Sequence, residues 1–201
     1  ATLDETGVTL SSMCTTEFNL TNPEMREKWL EGLRETCEAA KILGTNILRL
    51  WCGSKNSEDY TEGEKEELFL ACKAAAKLAE AEGVILCMEC HGKTYTNAKE
   101  AALELMQAVD SRHFRMYWQP NQHRTEEENI AYAKLIAAYT VNIHVFNWKG
   151  KEKYPLGEAK GIWREYLSCF DGHKNLLLEF MPDGKLETLR TETAALKELV
   201  S

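Results

Sequence analysis

Glu89 and His91 close the apolar run ILCMECHGK (85–93), where a segment otherwise suited to a core holds a carboxylate. A buried carboxylate is costly unless something pairs with it. Three further polar side chains stand at or near the ends of later apolar runs: Gln119 after MYW, His144 in NIHV and Glu179 after LLL. Counted from Glu89, they follow at intervals of 30, 25 and 35 residues. Each interval is about one strand-plus-helix unit, which puts the four residues at equivalent heights on successive strands, converging on one point. Any one of them alone reads as an ordinary hydrogen-bonded core group. Four in register, two of them carboxylates, read instead as a ligand set for a divalent metal: Mn²⁺, Mg²⁺, Co²⁺ or Zn²⁺.

The elements that must position these residues form one repeated pattern. GVTLSSM (7–13) reads as a strand. Asn22 and Pro23 then open a helix whose apolar stripe is Met25, Trp29, Leu33 and Cys37, stopped at Gly44. NILRLWCG (46–53) is the next strand. Thr61 and Glu64 form a capping box for a helix carrying Leu68, Cys72, Ala75 and Leu78, which ends at Gly83. VILCMEC (84–90) follows as a strand, and Asn97 with Glu100 caps the helix after it. HFRMYWQP (113–120) is a strand, Thr125 with Glu128 caps the next helix, and VNIHVFNW (141–148) is the fifth strand. A helix over GEAKGIWREYLSCF (157–170), the strand NLLLEFM (175–181) and a closing helix over 185–200 complete six βα units. Short apolar strands, each followed by a helix, predict an α/β fold with a parallel sheet, either doubly wound or a barrel. No linker or composition break appears, so residues 1–201 read as a single domain.

Composition narrows the function classes. A formal net charge of −8 opposes nucleic acid as a partner. No apolar run is long enough for a membrane span and the N-terminus is polar, so the expectation is a cytoplasmic protein without membrane contact. Seven cysteines, an odd number spread over helices and strands, read as reduced and mostly buried. Cys87 and Cys90 spell C-x-x-C, but residues three apart on a strand face opposite ways, a poor metal or redox arrangement.

Other side chains could face a ligand. Alternation in NILRLWCG places Ile47, Arg49 and Trp51 on one face. An inward Arg49 needs an anion, either a substrate phosphate or carboxylate or an internal Glu; the internal pair is favoured because no glycine-rich phosphate loop is present. Trp51, Trp118 and Trp148 lie near strand ends and could offer flat faces to a sugar ring, although tryptophan packed in a barrel core is equally ordinary. The run Lys149, Lys151, Lys153 reads first as a solvated loop, with Lys149 nearest a site.

LCMECHGK, MYWQPNQ, NIHVFNWKG…YPLGEAKGIW and LLLEFM resemble successive strand ends of the xylose isomerase-like sugar phosphate isomerase/epimerase superfamily of TIM barrels. The resemblance spans nearly the whole chain. It implies a TIM-type barrel in which Glu89, Gln119, His144 and Glu179 hold the divalent metal, while Glu89 and Glu179 also exchange the substrate proton. Because the family barrel has eight strands, it further implies that the first two βα units are absent, and a short form could close its sheet as a homo-oligomer. The implied enzyme isomerises or epimerises a small sugar or sugar phosphate, taking a proton from the carbon next to a carbonyl through an enediolate. His144 would be a neutral ligand; His91, on the same face two residues beyond Glu89, reads equally as a structural hydrogen bond or as a contact to a substrate hydroxyl. Gln119 replaces the usual Asp, Gln122 the usual His, and Phe146 and Asn147 the usual Lys and Asp, which weakens metal binding. Two alternatives follow: a metal-dependent dehydratase of keto-acids or keto-inositols, and a non-catalytic sugar-binding relative with a degenerate metal site. A DNA-repair endonuclease on the same barrel is disfavoured by the scarcity of strand-end histidines and by the net charge.

Overall fold

The computed structural model describes residues 2–15 and 23–201. Strands of a parallel sheet alternate with helices in the order α1 (Thr2–Thr6), β1 (Met13–Cys14), α2 (Pro23–Ile42), β2 (Ile47–Leu50), α3 (Glu62–Glu82), β3 (Ile85–Glu89), α4 (Lys99–Val109), β4 (Phe114–Trp118) and α5 (Glu126–Ile136). Then come β5 (Thr140–Val145), the two short strands β6 (Trp148–Lys149) and β7 (Glu152–Lys153), α6 (Lys160–Leu167), β8 (Asn175–Leu178) and α7 (Leu189–Leu199). Contacts divide the chain into two compact units, Ala1–Met116 and Tyr117–Ser201, with β4 running through the boundary. Among the described residues, no helix is long and apolar enough to cross a membrane.

In the first unit the strand order is β1-β2-β3-β4. The β2–β3 register, Arg49 opposite Cys87 and Leu50 opposite Met88, is parallel. Four of the five residues of β3 are buried, including Cys87 at 0 % and Met88 at 0 % exposure, as a strand covered on both faces requires. Helix α3 lays Leu68, Ala71, Cys72, Ala75 and Ala79 into this core. Its ends are set by sequence. The Thr61 side chain accepts from the Glu64 N–H, the Glu64 carboxylate accepts from the Thr61 N–H, and Gly83 takes the left-handed conformation (φ +70°) that closes the last turn.

Two expectations change here. Residues 2–6 are helical, and of the predicted strand 7–13 only Met13 joins the ladder; with Cys14 it forms β1, which among the described residues pairs with β2. Beside this short ladder, the Thr15 N–H donates to the Arg49 carbonyl at 3.1 Å and Thr45 Oγ1 donates to the Ser11 carbonyl at 2.9 Å. Pro23 begins α2 as expected, whereas Asn22 lies outside the described residues. Asn97 does not cap α4. Its Oδ1 accepts from the Ser57 N–H at 2.8 Å and its Nδ2 donates to Glu58 at 2.9 Å, so the helix starts after Ala98 with no side-chain cap. A bond to the neighbouring loop wins over the local cap.

In the second unit the order is β4-β5-β8, with His144 opposite Leu177 in the parallel β5–β8 pair. Thr125 and Glu128 form the expected capping box of α5. Trp163 of α6 is 1 % exposed and its indole donates to the Phe146 carbonyl at 2.8 Å, which fixes the helix against the end of β5. Buried Glu192 of α7 accepts from the Leu156 N–H at 2.8 Å and anchors the segment entering α6. The lysine run forms the antiparallel hairpin β6–β7, turned at Gly150 (φ +59°), where the sequence suggested only a loop. The expected seven free thiols are present, five of them buried.

Candidate functional site

In the first unit, the ends of β2 and β3 bring four of the candidate residues together. Period-two alternation in a shared parallel register carries Arg49, Trp51 and Glu89 onto one face. Glu89 is 2 % exposed. Its Oε2 lies 2.9 Å from Arg49 Nη1 and accepts from the Trp51 indole N–H at 2.5 Å. The anion expected for Arg49 is therefore an internal carboxylate. The guanidinium also stands 5.5 Å over the Trp51 ring, and that ring stacks on His91 with centroids 4.8 Å apart and planes 24° apart. His91 Nδ1 lies 2.6 Å from the Gly92 carbonyl oxygen. A carbonyl can only accept, so Nδ1 carries the proton and a neutral His91 keeps its lone pair on Nε2.

The loops below these side chains are clasped by Asn97, expected as a helix cap, and by Asn56, Thr94 and Thr96, which the sequence reading passed over. Asn56 Oδ1 accepts from the Lys93 N–H at 2.8 Å, and Asn97 makes the reciprocal bond to Ser57. Thr96 Oγ1 donates to the Glu89 carbonyl at 2.5 Å and Thr94 Oγ1 to the His91 carbonyl at 2.6 Å. The recoverable signal was compositional, since Asn and Thr that leave no apolar stripe are free to bond backbone groups. At Gly53 (φ +77°) a Cβ would stand 2.0 Å from the Tyr60 hydroxyl oxygen, so only glycine admits that approach.

In the second unit, the ends of β4, β5 and β8 bring together Gln119, His144 and Glu179. His144 Nδ1 lies 2.7 Å from Gln119 Oε1 and 3.5 Å from Glu179 Oε2. His144 is 7 % exposed, with the Tyr117 ring 4.5 Å from its imidazole. Trp148 is half-buried, its ring edge-on to Phe180 at 5.0 Å and Phe146 at 6.3 Å, and Lys153 of the hairpin places Nζ 4.2 Å from the Phe180 centroid. A cavity of about 210 Å³ opens between the loops after β4 and β5, lined in part by Gln122, Arg124, Phe146, Trp148 and Lys149. Lys149 is exposed, 3.6 Å from Glu126.

Trp118 corrects an expectation. It is 0 % exposed, packed edge-on to Trp163 at 6.2 Å and Tyr166 at 5.3 Å, with Phe170 at 5.3 Å. It belongs to the layer between strand and helix and offers no face to a ligand. Alternation along MYWQ explains this, because Tyr117 and Gln119 share one face and Trp118 takes the other.

In the second unit the His144 imidazole and the Glu179 carboxylate stand 3.5 Å apart, donors of a kind that hard or borderline divalent ions take; in the first unit the Glu89 carboxylate stands at the end of β3. Arg49 already lies against Glu89, so an ion taking that carboxylate would share it with the guanidinium.

The family described as xylose isomerase-like TIM barrel matches residues 1–178. No curated protein matches the chain by sequence. Among solved structures, the chain is similar to the probable 3-DHS dehydratase AsbF of petrobactin synthesis from Bacillus anthracis, at 16 % identity and a TM-score of 0.78, over 100 % of this chain and 80 % of that one. It is also similar to a xylose isomerase-like TIM barrel protein from Mycobacterium smegmatis in complex with magnesium (16 % identity, TM-score 0.71, 98 % and 75 % covered). A third similarity is to the D-psicose 3-epimerase of Clostridium cellulolyticum H10 solved with D-tagatose (15 % identity, TM-score 0.69, 98 % and 79 % covered). At these identities the likeness is one of fold.

Proposed function

The chain belongs to the xylose isomerase-like TIM-barrel family, and from that premise we propose that it is a divalent-metal-dependent isomerase or epimerase of a small sugar. The observation that carries the reading is the cluster of Gln119, His144 and Glu179 around one imidazole nitrogen at the ends of parallel strands. Ligand sites of parallel α/β folds form at the carboxyl ends of their strands. By the family's pattern of strand-end residues, Glu89, Gln119, His144 and Glu179 would hold the metal. When bound, the ion polarises the substrate carbonyl and stabilises the developing enediolate.

Glu179 takes the proton from the carbon next to the carbonyl and Glu89 returns one, or the reverse for the opposite epimer. Arg49 and Trp51 hold the Glu89 carboxylate in one orientation for that transfer. His91, its Nδ1 proton bonded to the Gly92 carbonyl and its ring stacked on Trp51, accepts from a substrate hydroxyl at Nε2. Arg49, the inward cation of β2, is already paired with Glu89. That favours an uncharged sugar over a sugar phosphate or the keto-acid that a dehydratase would take.

The test is deuterium uptake from D₂O, by NMR, into a panel of free ketohexoses incubated with the Mn²⁺-loaded protein. Uptake next to the carbonyl, abolished by a chelator and in Glu89→Gln and Glu179→Gln, is expected. Sugar binding by calorimetry that ignores chelator, with no uptake, would make the protein a non-catalytic relative instead.

A further inference from the structure

We propose that the second unit carries a binding site for an apolar carboxylate of the medium-chain fatty-acid type, on the side of the β5–β8 pair turned away from His144. It stands apart from the strand-end residues and does not depend on the function proposed for them. In the parallel register Ile143 lies opposite Leu176, and His144 lies opposite Leu177. Successive residues of a strand point to opposite faces, so Ile143 and Leu176 share the face toward α6 and α7 while His144 takes the other. A cavity of about 500 Å³ is lined by Ile143 and Leu176 on this face, within the roughly 300–1,000 Å³ of small-molecule pockets.

The remaining apolar walls come from the ends of the helices. Leu167 closes α6, Phe170 follows it and packs against Trp118 with ring centroids 5.3 Å apart, and Leu196 and Val200 come from the end of α7. Ile143 is fully buried, but Leu176 is only half-buried on a strand of a parallel sheet, and Val200 is 64 % exposed. Strands of parallel sheets are ordinarily covered on both faces. The two helices therefore leave a patch of apolar surface between their ends, the kind of surface that a ligand gains by covering.

The charged side chains of the lining are all of one sign. Lys174 enters β8 after the left-handed turn at Gly172 (φ +70°), Lys197 stands on α7, and exposed His173 adds an imidazole. Among the described residues no Asp or Glu lines the cavity, and neither lysine has a carboxylate partner. The chain carries 32 acidic residues against 24 basic ones, so an acid-free lining departs from its average surface. Apolar walls take up a hydrocarbon chain, and two ammonium groups on flexible stems converge on one anionic head where the cavity meets water. A neutral hydrocarbon would leave the lysines unmatched, and a small inorganic anion would leave the walls uncovered.

The experiment titrates sodium octanoate into protein labelled with ¹³C at the isoleucine, leucine and valine methyl groups. Saturable shifts at Ile143, Leu176, Leu196 and Val200 are expected. Octanol should bind about 5- to 10-fold more weakly, and hexanoate about 10-fold more weakly because it buries two fewer methylenes. The double variant Lys174→Gln with Lys197→Gln should reduce octanoate to the affinity of octanol. Val200→Glu, at an exposed position that the fold does not need, should weaken octanoate more than octanol. The proposal is overturned if octanoate gives no saturable shift, if the shifts fall on other methyl groups, if octanol binds as tightly, or if the double lysine variant, folded by circular dichroism, keeps the preference for octanoate.

Discussion

Replacing Arg49 by Met should destabilise the first unit more than any surface charge could. The Glu89 side chain is 3 % exposed and the Arg49 side chain 16 %, with 2.9 Å between Nη1 and Oε2. Removing one partner of a buried pair strands the other charge, at a cost of about 3–5 kcal/mol. The lower end applies here, because the Trp51 indole still donates to Oε2 and Arg49 is partly wet. A loss of about 3 kcal/mol corresponds to roughly 6–12 °C in Tm for a chain of this size. Changing both residues to Met removes the stranded charge and leaves the Trp51 N–H without its acceptor, about 1 kcal/mol below the wild type. Thermal melts followed by circular dichroism, with urea titrations as a second measure, give all three values. The reasoning is refuted if Arg49→Met melts within 2 °C of the wild type, or if the double variant is no more stable than the single one.

Gly53→Ala should cost about 2–4 kcal/mol, combining a positive φ with a Cβ driven into the Tyr60 hydroxyl; a urea midpoint equal to the wild type's would contradict it. Trp118→Ala should cost about 3–5 kcal/mol and leave sugar affinity of the folded fraction unchanged, whereas a ligand-facing tryptophan would show the reverse in calorimetry. Native-state thiol labelling, read by mass spectrometry, should modify exposed Cys14 first and half-buried Cys169 slowly, since burial pushes the Cys169 thiol up. Cys37, Cys52, Cys72, Cys87 and Cys90 should react only after unfolding, and burial pushes the Cys37 thiol up to about 11; rapid labelling of Cys87 in the native protein would overturn the buried core.

The alternation of strands and helices was legible because its signals are local. Thr61 with Glu64, Thr125 with Glu128, and Gly83 are caps whose chemistry is complete within one helical turn. The strand-end polar residues were legible for a similar reason, since an apolar run ending in Glu or His departs from what burial favours. What escaped depends on distant partners. Asn97 bonds Ser57 and Glu58 across 40 residues or nearly so, and Glu192 reaches the Leu156 N–H from the last helix. The β6–β7 hairpin hides in a lysine run because its ladder is two residues long. Trp118 was a different kind of miss. The parity that placed Arg49 and Trp51 on one face, applied to MYWQ, separates Trp118 from Gln119.

The account turns on a metal held by strand-end carboxylates and one imidazole. Elemental analysis of the purified protein after Mn²⁺ loading and desalting, set beside Glu179→Gln, tests it most directly. Close to one equivalent of Mn²⁺ in the wild type and almost none in the variant is the predicted result. Equal manganese in both proteins, or none in either while both remain folded, would contradict it.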